Sequence, residues 1–108
     1  MSEYLFIQSQ DPFTETRAPG QYDLAKRLAN AGYEVKILLV QNGVTVARQG
    51  AKSEAFDALK NTAVNIFADN FSLEQREIEI NQLKYGVQTS DLDIVIDAML
   101  AGKKVIWN

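Results

Sequence analysis

Apolar residues gather in short unbroken runs along the chain, separated by stretches in which they recur every third or fourth position. Tyr4-Leu5-Phe6-Ile7, Val35 to Val40 (interrupted only by Lys36) and Ala63-Val64-Asn65-Ile66-Phe67-Ala68 are each too short for a helix. None of them alternates between polar and apolar, the pattern of strands covered on both faces. The first strand is expected to reach Ser9. A closing run, Lys103-Lys104-Val105-Ile106-Trp107, reads the same way, and Tyr85-Gly86-Val87-Gln88 suggests a further fragment of strand. The run from Val35 is the most apolar and is expected at the centre of the sheet.

Helical periodicity fills the gaps. After a polar loop from Gln10 to Gly20, which holds Asp11-Pro12 and Pro19-Gly20, a helix is predicted from Pro19 or Gly20 to Ala31. Proline suits its first turn and Gly32 its left-handed cap. Leu24, Ala25, Leu28, Ala29 and Ala31 make its apolar stripe, with Asp23, Lys26, Arg27 and Asn30 outside. Gln41-Asn42-Gly43 invites a β-hairpin, but VTVARQG is too short and too soon interrupted to be the partner strand. A helical turn over Val44 to Arg48 and a helix over Ser53 to Asn61, turning Ala55, Phe56 and Leu59 inward, are expected instead. Ser72-Leu73-Glu74-Gln75 matches a capping box, predicting a helix to about Leu83 that buries Leu73, Ile78 and Ile80 loosely. Ser90-Asp91-Leu92-Asp93 starts another, with Ser90 as cap, running to Ala101 and stopping at Gly102.

Strands alternating with helices through short loops predict an α/β fold, a three-layer sandwich with a mainly parallel sheet of about five strands. The last helix is apolar most of the way round. Leu92, Val95, Ile96, Met99 and Leu100 suffice for a core face, yet Ile94, Ala98 and Ala101 make a second strip. The second side is expected to meet another subunit.

The 108 residues fit one domain. A charge of -3 disfavours a nucleic-acid partner, whose phosphates need a basic face. The adjacent pairs Lys26-Arg27 and Lys103-Lys104 lack the basic and aromatic company that would make one. No apolar run approaches the roughly 20 residues of a membrane span, and the opening MSEYLFIQSQ lacks the basic region of a signal peptide. A cytoplasmic protein with no membrane partner is expected.

The chain contains no Cys and no His. Disulfides, thiolate nucleophiles, the usual zinc sites, imidazole bases and every Ser-His or Cys-His arrangement are therefore excluded. No Gly-rich phosphate motif follows a strand. Asp11, Asp69 and a lysine on the last strand suggest a phosphoacceptor receiver, but Lys103 and Lys104 stand at the entry end of that strand, and Asp11 has no acidic neighbour. Asp11 and Asp69 are open to acid-base work, although Asp beside Pro or Asn more commonly shapes a loop. No cofactor is implied.

In an open parallel sheet, ligands bind beyond the carboxyl ends of the strands. The loops after the first three strands converge there. Gln10, Asp11, Asn42, Gly43, Asp69 and Asn70 are the candidate ligand-binding residues. Asn42 and Asp69 are expected at one edge of the sheet.

The order of parts, with AGYEV, KILLVQNGV, VNIFADNFSLEQRE and DLDIVIDAMLAGKKVIWN, resembles the DsrE/DsrF-like family. That family includes sulfur-relay subunits related to TusD and the YchN-like proteins. The resemblance covers nearly the whole chain. It implies the family fold, a homo-oligomer (a trimer or a hexamer), and a persulfide-bearing cysteine just after the third strand, at Phe67 to Asp69 here. No cysteine stands there. Sulfur transfer by this polypeptide alone is excluded, since no other side chain supplies the polarizable thiolate. The resemblance thus points to a non-catalytic or regulatory subunit, assembling with itself or with a cysteine-bearing homologue, or else to a small-molecule binding module. A thiol restored at Ala68 is expected to alkylate at an ordinary rate and to take up sulfane sulfur poorly beside Asp69.

Overall fold

A computed structural model describes residues 3–11 and 18–107. Among them, five strands form one sheet: β1 (Glu3–Gln8), β2 (Glu34–Leu39), β3 (Asn65–Asp69), β4 (Val87–Ser90) and β5 (Lys104–Trp107). Their order is β4-β3-β2-β1-β5, and every neighbouring pair is parallel. β2 is central, as its apolar run demands. Ile37, Leu38 and Leu39 are all buried, one face of the strand to each side of the sheet.

Helix α1 (Ala18–Asn30), the 3₁₀ turn Gln41–Ala47 and α2 (Glu54–Asp57), which tightens into a 3₁₀ turn at Ala58–Asn61, follow the strands. After β3 come α3 (Asn70–Gln75) and a 3₁₀ turn at Ile80–Gln82, and α4 (Asp93–Leu100) connects β4 to β5. One face of the sheet carries the larger core, in which Phe6, Val35, Ile37, Leu39 and Ile66 meet Tyr22, Ala25, Phe56 and Leu59. The other carries Leu5, Ile7, Leu38 and Val40 beneath Val95 and Ala98 of α4. Three layers result. The Asn-Gly turn makes no hairpin but a helical turn, with Val44, Val46 and Ala47 fully buried.

Several boundaries differ from expectation for physical reasons. The loop before α1 falls largely on residues 12–17, outside the described residues, and α1 begins at Ala18. Its inward stripe is Tyr22 and Ala25 with Leu28 and Ala29 alongside, while Leu24 and Ala31 are exposed. The buried Tyr22 ring meets Phe56 edge to face at 5.5 Å. Gly32 takes the expected left-handed cap at φ 97°.

Ser72 is not the cap of α3. The helix starts directly at the end of β3, and the Asp69 side chain accepts from the Ser72 amide. It ends at Gln75 rather than near Leu83, with Glu77 in the left-handed region at φ 54°. Leu73 and Ile78 reach the core, but Ile80 is exposed, so nothing apolar rewards a longer helix. The capping box lies downstream instead, between Glu79 and Gln82.

Ser90 is likewise no cap but the last residue of β4, and it is Asp91 that accepts from the amide of Asp93 as α4 begins. The faces of α4 are divided differently from expectation: Val95 is inward as expected, but Ile94 and Ala98 of the second strip join it, and Ala101 is exposed. Ile94, Val95 and Ala98 pack on the sheet, and Leu92, Ile96, Met99 and Leu100 are exposed.

Candidate functional site

Three parallel strands that start at one edge must deliver their loops to the other. Gln8 pairs in register with Leu39, and Leu39 with Ala68, so β1, β2 and β3 end side by side. Gln10 and Asp11 follow β1, Asn42 and Gly43 follow β2, and Asp69 and Asn70 end β3 and open α3. All six expected positions therefore stand at one edge of the sheet, Asn42 and Asp69 among them.

The structure links two of them, Asn42 and Asp69, through Ser72 and Arg76, which the sequence left unremarked in this role. The Ser72 amide and hydroxyl both donate to Asp69 Oδ2, at 3.0 and 2.7 Å, and the Ser72 hydroxyl accepts from the Gln41 amide at 2.8 Å. That bond ties the loop after β2 to the loop after β3. Gln41 is held in the left-handed region, at φ 51°. Arg76 completes the tie: Nη2 donates to Asn42 Oδ1 at 2.9 Å and Nη1 to the Ser72 carbonyl at 3.2 Å. Asn42 and Asn70 are exposed, whereas the Asp69 carboxylate is buried and engaged as a helix cap. Asp69 shapes the loop, as Asp beside Asn commonly does.

Gly43 serves by having no side chain. Its amide donates to the Val40 carbonyl at 2.9 Å, and a Cβ there would overlap the Gln8 carbonyl oxygen. The loop after β2 thus lies directly on the end of β1, whose Gln8 carbonyl also accepts from the Val40 amide at 3.0 Å. Only glycine permits this approach.

Gln8 went unnoticed in the sequence. It is 2% exposed, and neither end of its side-chain amide has a hydrogen-bond partner among the described residues. Gln10 Oε1 and the Tyr22 hydroxyl are buried and unpartnered in the same sense, and burial pushes the Tyr22 phenol far above its ordinary pKa. A glutamine closing an apolar strand carries no signal that separates a solvated end from a buried one.

Where the family resemblance led one to expect a cysteine, Ala68 is fully buried and belongs to the larger core, with Phe67 half-buried on the opposite face. Among the described residues there is no group of three or more metal-ligating side chains, and no helix long and apolar enough to cross a membrane.

A parallel α/β sheet in this order, with helices on both faces and loops joined across the ends of β2 and β3, defines the architecture. The model of the DsrE/DsrF-like family matches residues 2–107, and the chain belongs to that family. Two solved structures are similar over the full length of both chains. The ychN protein from E. coli superimposes with a TM-score of 0.88 at 18% identity. MTH1491 from Methanobacterium thermoautotrophicum, a protein of unknown function, does so with a TM-score of 0.86, also at 18% identity. At that identity the likeness establishes the fold alone. No curated protein matches the chain.

Proposed function

We propose that this chain is a non-catalytic or regulatory subunit of the DsrE/DsrF-like family, acting by assembly rather than by carrying sulfur. One observation carries this reading. The sequence has no cysteine, and the ground where the family's nucleophile is expected holds a fully buried Ala68 and an Asp69 committed to capping α3. Nothing at that place can accept a sulfane sulfur. The outward face of α4 supports the assembly half of the proposal. Leu92, Ile96 and Met99 recur at helical spacing beside Leu100, which is 83% exposed. Trp107, on the edge strand β5, is exposed as well. Contiguous bulky apolar groups on a small domain mark a surface that is covered in use. The cover proposed here is a second copy, in a trimer or hexamer, or a cysteine-bearing homologue. Affinity purification from the native host followed by native mass spectrometry tests this. A stable complex with itself or a relative is expected, and recovery of the chain alone as a monomer contradicts it.

A second reading, a small-molecule binding module at the carboxyl ends of the strands, is favoured by Arg76. Its guanidinium, bonded to the exposed Asn42 and to the Ser72 carbonyl, brings a cation to that edge. A rise in melting temperature with an anionic metabolite, abolished by Arg76→Gln, is its expected signature.

A further inference from the structure

At the opposite end of the sheet, where β3 and β4 begin, lies a cavity of about 320 Å³ that neither reading above employs. Its floor is apolar and comes from three elements: Phe56 of α2, Ile66 of β3 and Val87 of β4. Lys60, Lys84 and Tyr85 line it from the polar side, together with Asp57.

The walls are built to hold their shape. Phe56 is buried, and its ring is met edge-on by Tyr22. On the cavity side, Lys84 Nζ lies 5.2 Å from the Phe56 ring centroid and 2.9 Å from Asp57 Oδ1. The segment carrying Lys84 is clamped by backbone bonds from Gln49 to Gln82 and from Lys84 to Ala47, both 2.7 Å, and by Gln49 Nε2 donating to the Leu83 carbonyl. Tyr85 lines the cavity from its rim, 92% exposed.

We infer that this cavity binds a small aromatic monoanion, of the arylcarboxylate class. Each part of that description rests on a separate feature. The volume is at the low end for ligand sites, which run from roughly 300 to 1,000 Å³, so one ring system fits. With Lys84 Nζ over the Phe56 ring, the apolar floor of Phe56, Ile66 and Val87 suits the edge of a ligand ring, and the exposed Tyr85 ring supplies an apolar surface at the rim. Two lysines and one aspartate leave one positive charge in the lining. The aspartate is already paired with Lys84, and Lys60 is exposed with no ion pair among the described residues. A single carboxylate would therefore be drawn to Lys60 and the remaining donors of Lys84. A dianion would meet Asp57. The chain carries a net charge of -3, so this is not a generally basic surface.

Titrating the isotopically labelled chain with phenylacetate, and following backbone amide resonances, tests the inference. Phenylacetamide serves as the neutral analogue and benzylamine as the cationic one. Saturable shifts confined to Phe56–Lys60, Ile66 and Lys84–Val87 are expected, with a dissociation constant on the order of 1 mM for so small a ligand. Phenylacetamide should bind about threefold to fivefold more weakly, and benzylamine more weakly still. Lys60→Gln, an exposed substitution that leaves the fold intact, should weaken phenylacetate by about the same factor while leaving phenylacetamide unchanged. The inference is overturned if no saturable shift appears, if benzylamine binds as well as phenylacetate, or if the shifts centre on Asn42, Asp69 and Asn70. Because the cavity lies on the face of the sheet opposite α4, none of these results bears on the proposed role in assembly.

Discussion

The Ser72 hydroxyl donates to the buried carboxylate of Asp69 at 2.7 Å while its own amide donates to the same oxygen at 3.0 Å. One side chain thereby fixes the start of α3, and through the Gln41 amide it also fixes the loop after β2. Removing it leaves a buried carboxylate short of a donor and the Gln41 amide short of an acceptor. Ser72→Ala should destabilise the fold by about 1–3 kcal/mol, the usual penalty for stranded polar groups. Thermal or urea denaturation reads this directly. A change below about 0.5 kcal/mol would mean that water replaces the hydroxyl and that the two loops are not held by it.

Gln8 predicts the opposite sign. Its amide is buried without partners, so its presence costs stability. Gln8→Met keeps the volume and the backbone bond to Val40, and should raise stability by about 1 kcal/mol. In urea this appears as a higher midpoint at an unchanged slope. A lower midpoint would show that the amide is bonded in solution.

A thiol placed at Ala68 will not behave as the strand-end position suggests from sequence. Ala68 is fully buried and faces the larger core, so Ala68→Cys should be inert, its thiol kept protonated by desolvation. Added volume in that core costs about 1–3 kcal/mol. Labelling of Ala68→Cys with a thiol reagent should be slow in the native state and fast after denaturation. Asn70→Cys, two residues on and exposed, should react readily. Equal native rates for the two would refute the burial of this position.

Tyr22 gives the fold an alkaline limit. Burial raises its phenol pKa above that of the unfolded chain, so the folded state holds its proton longer. The stability this contributes is fully present below the unfolded pKa, near 10, and is lost as pH rises beyond it. Tyr22→Phe should shift the alkaline unfolding midpoint to higher pH, and an unmoved midpoint would exclude Tyr22 as the cause.

How far the sequence exposes these features depends on the element. β2 is legible because Val35 to Val40 is almost continuously apolar, which only a strand covered on both faces requires. The convergence of Asn42 and Asp69 is legible too, since it follows from parallel strands alone. α3 is not, because Asp69 and Ser72 are both good caps and the choice between them is made by where β3 stops. In α4, apolar residues on every side leave periodicity unable to say which face is inward, and close packing selects Val95 and Ala98. The bond from Arg76 to Asn42, 34 positions apart, is a product of the tertiary fold and leaves no local mark.

Assembly through the apolar face of α4 is the proposed role of this cysteine-less chain. Sedimentation velocity of the wild type beside Ile96→Glu tests it most directly. Ile96 is exposed on the outward face, so the substitution should spare the monomer fold and abolish only the contact. A trimer or hexamer is expected for the wild type at micromolar concentration, and a folded monomer for Ile96→Glu. A wild-type chain that sediments as a clean monomer, or an Ile96→Glu variant that keeps the wild-type assembly, would contradict it.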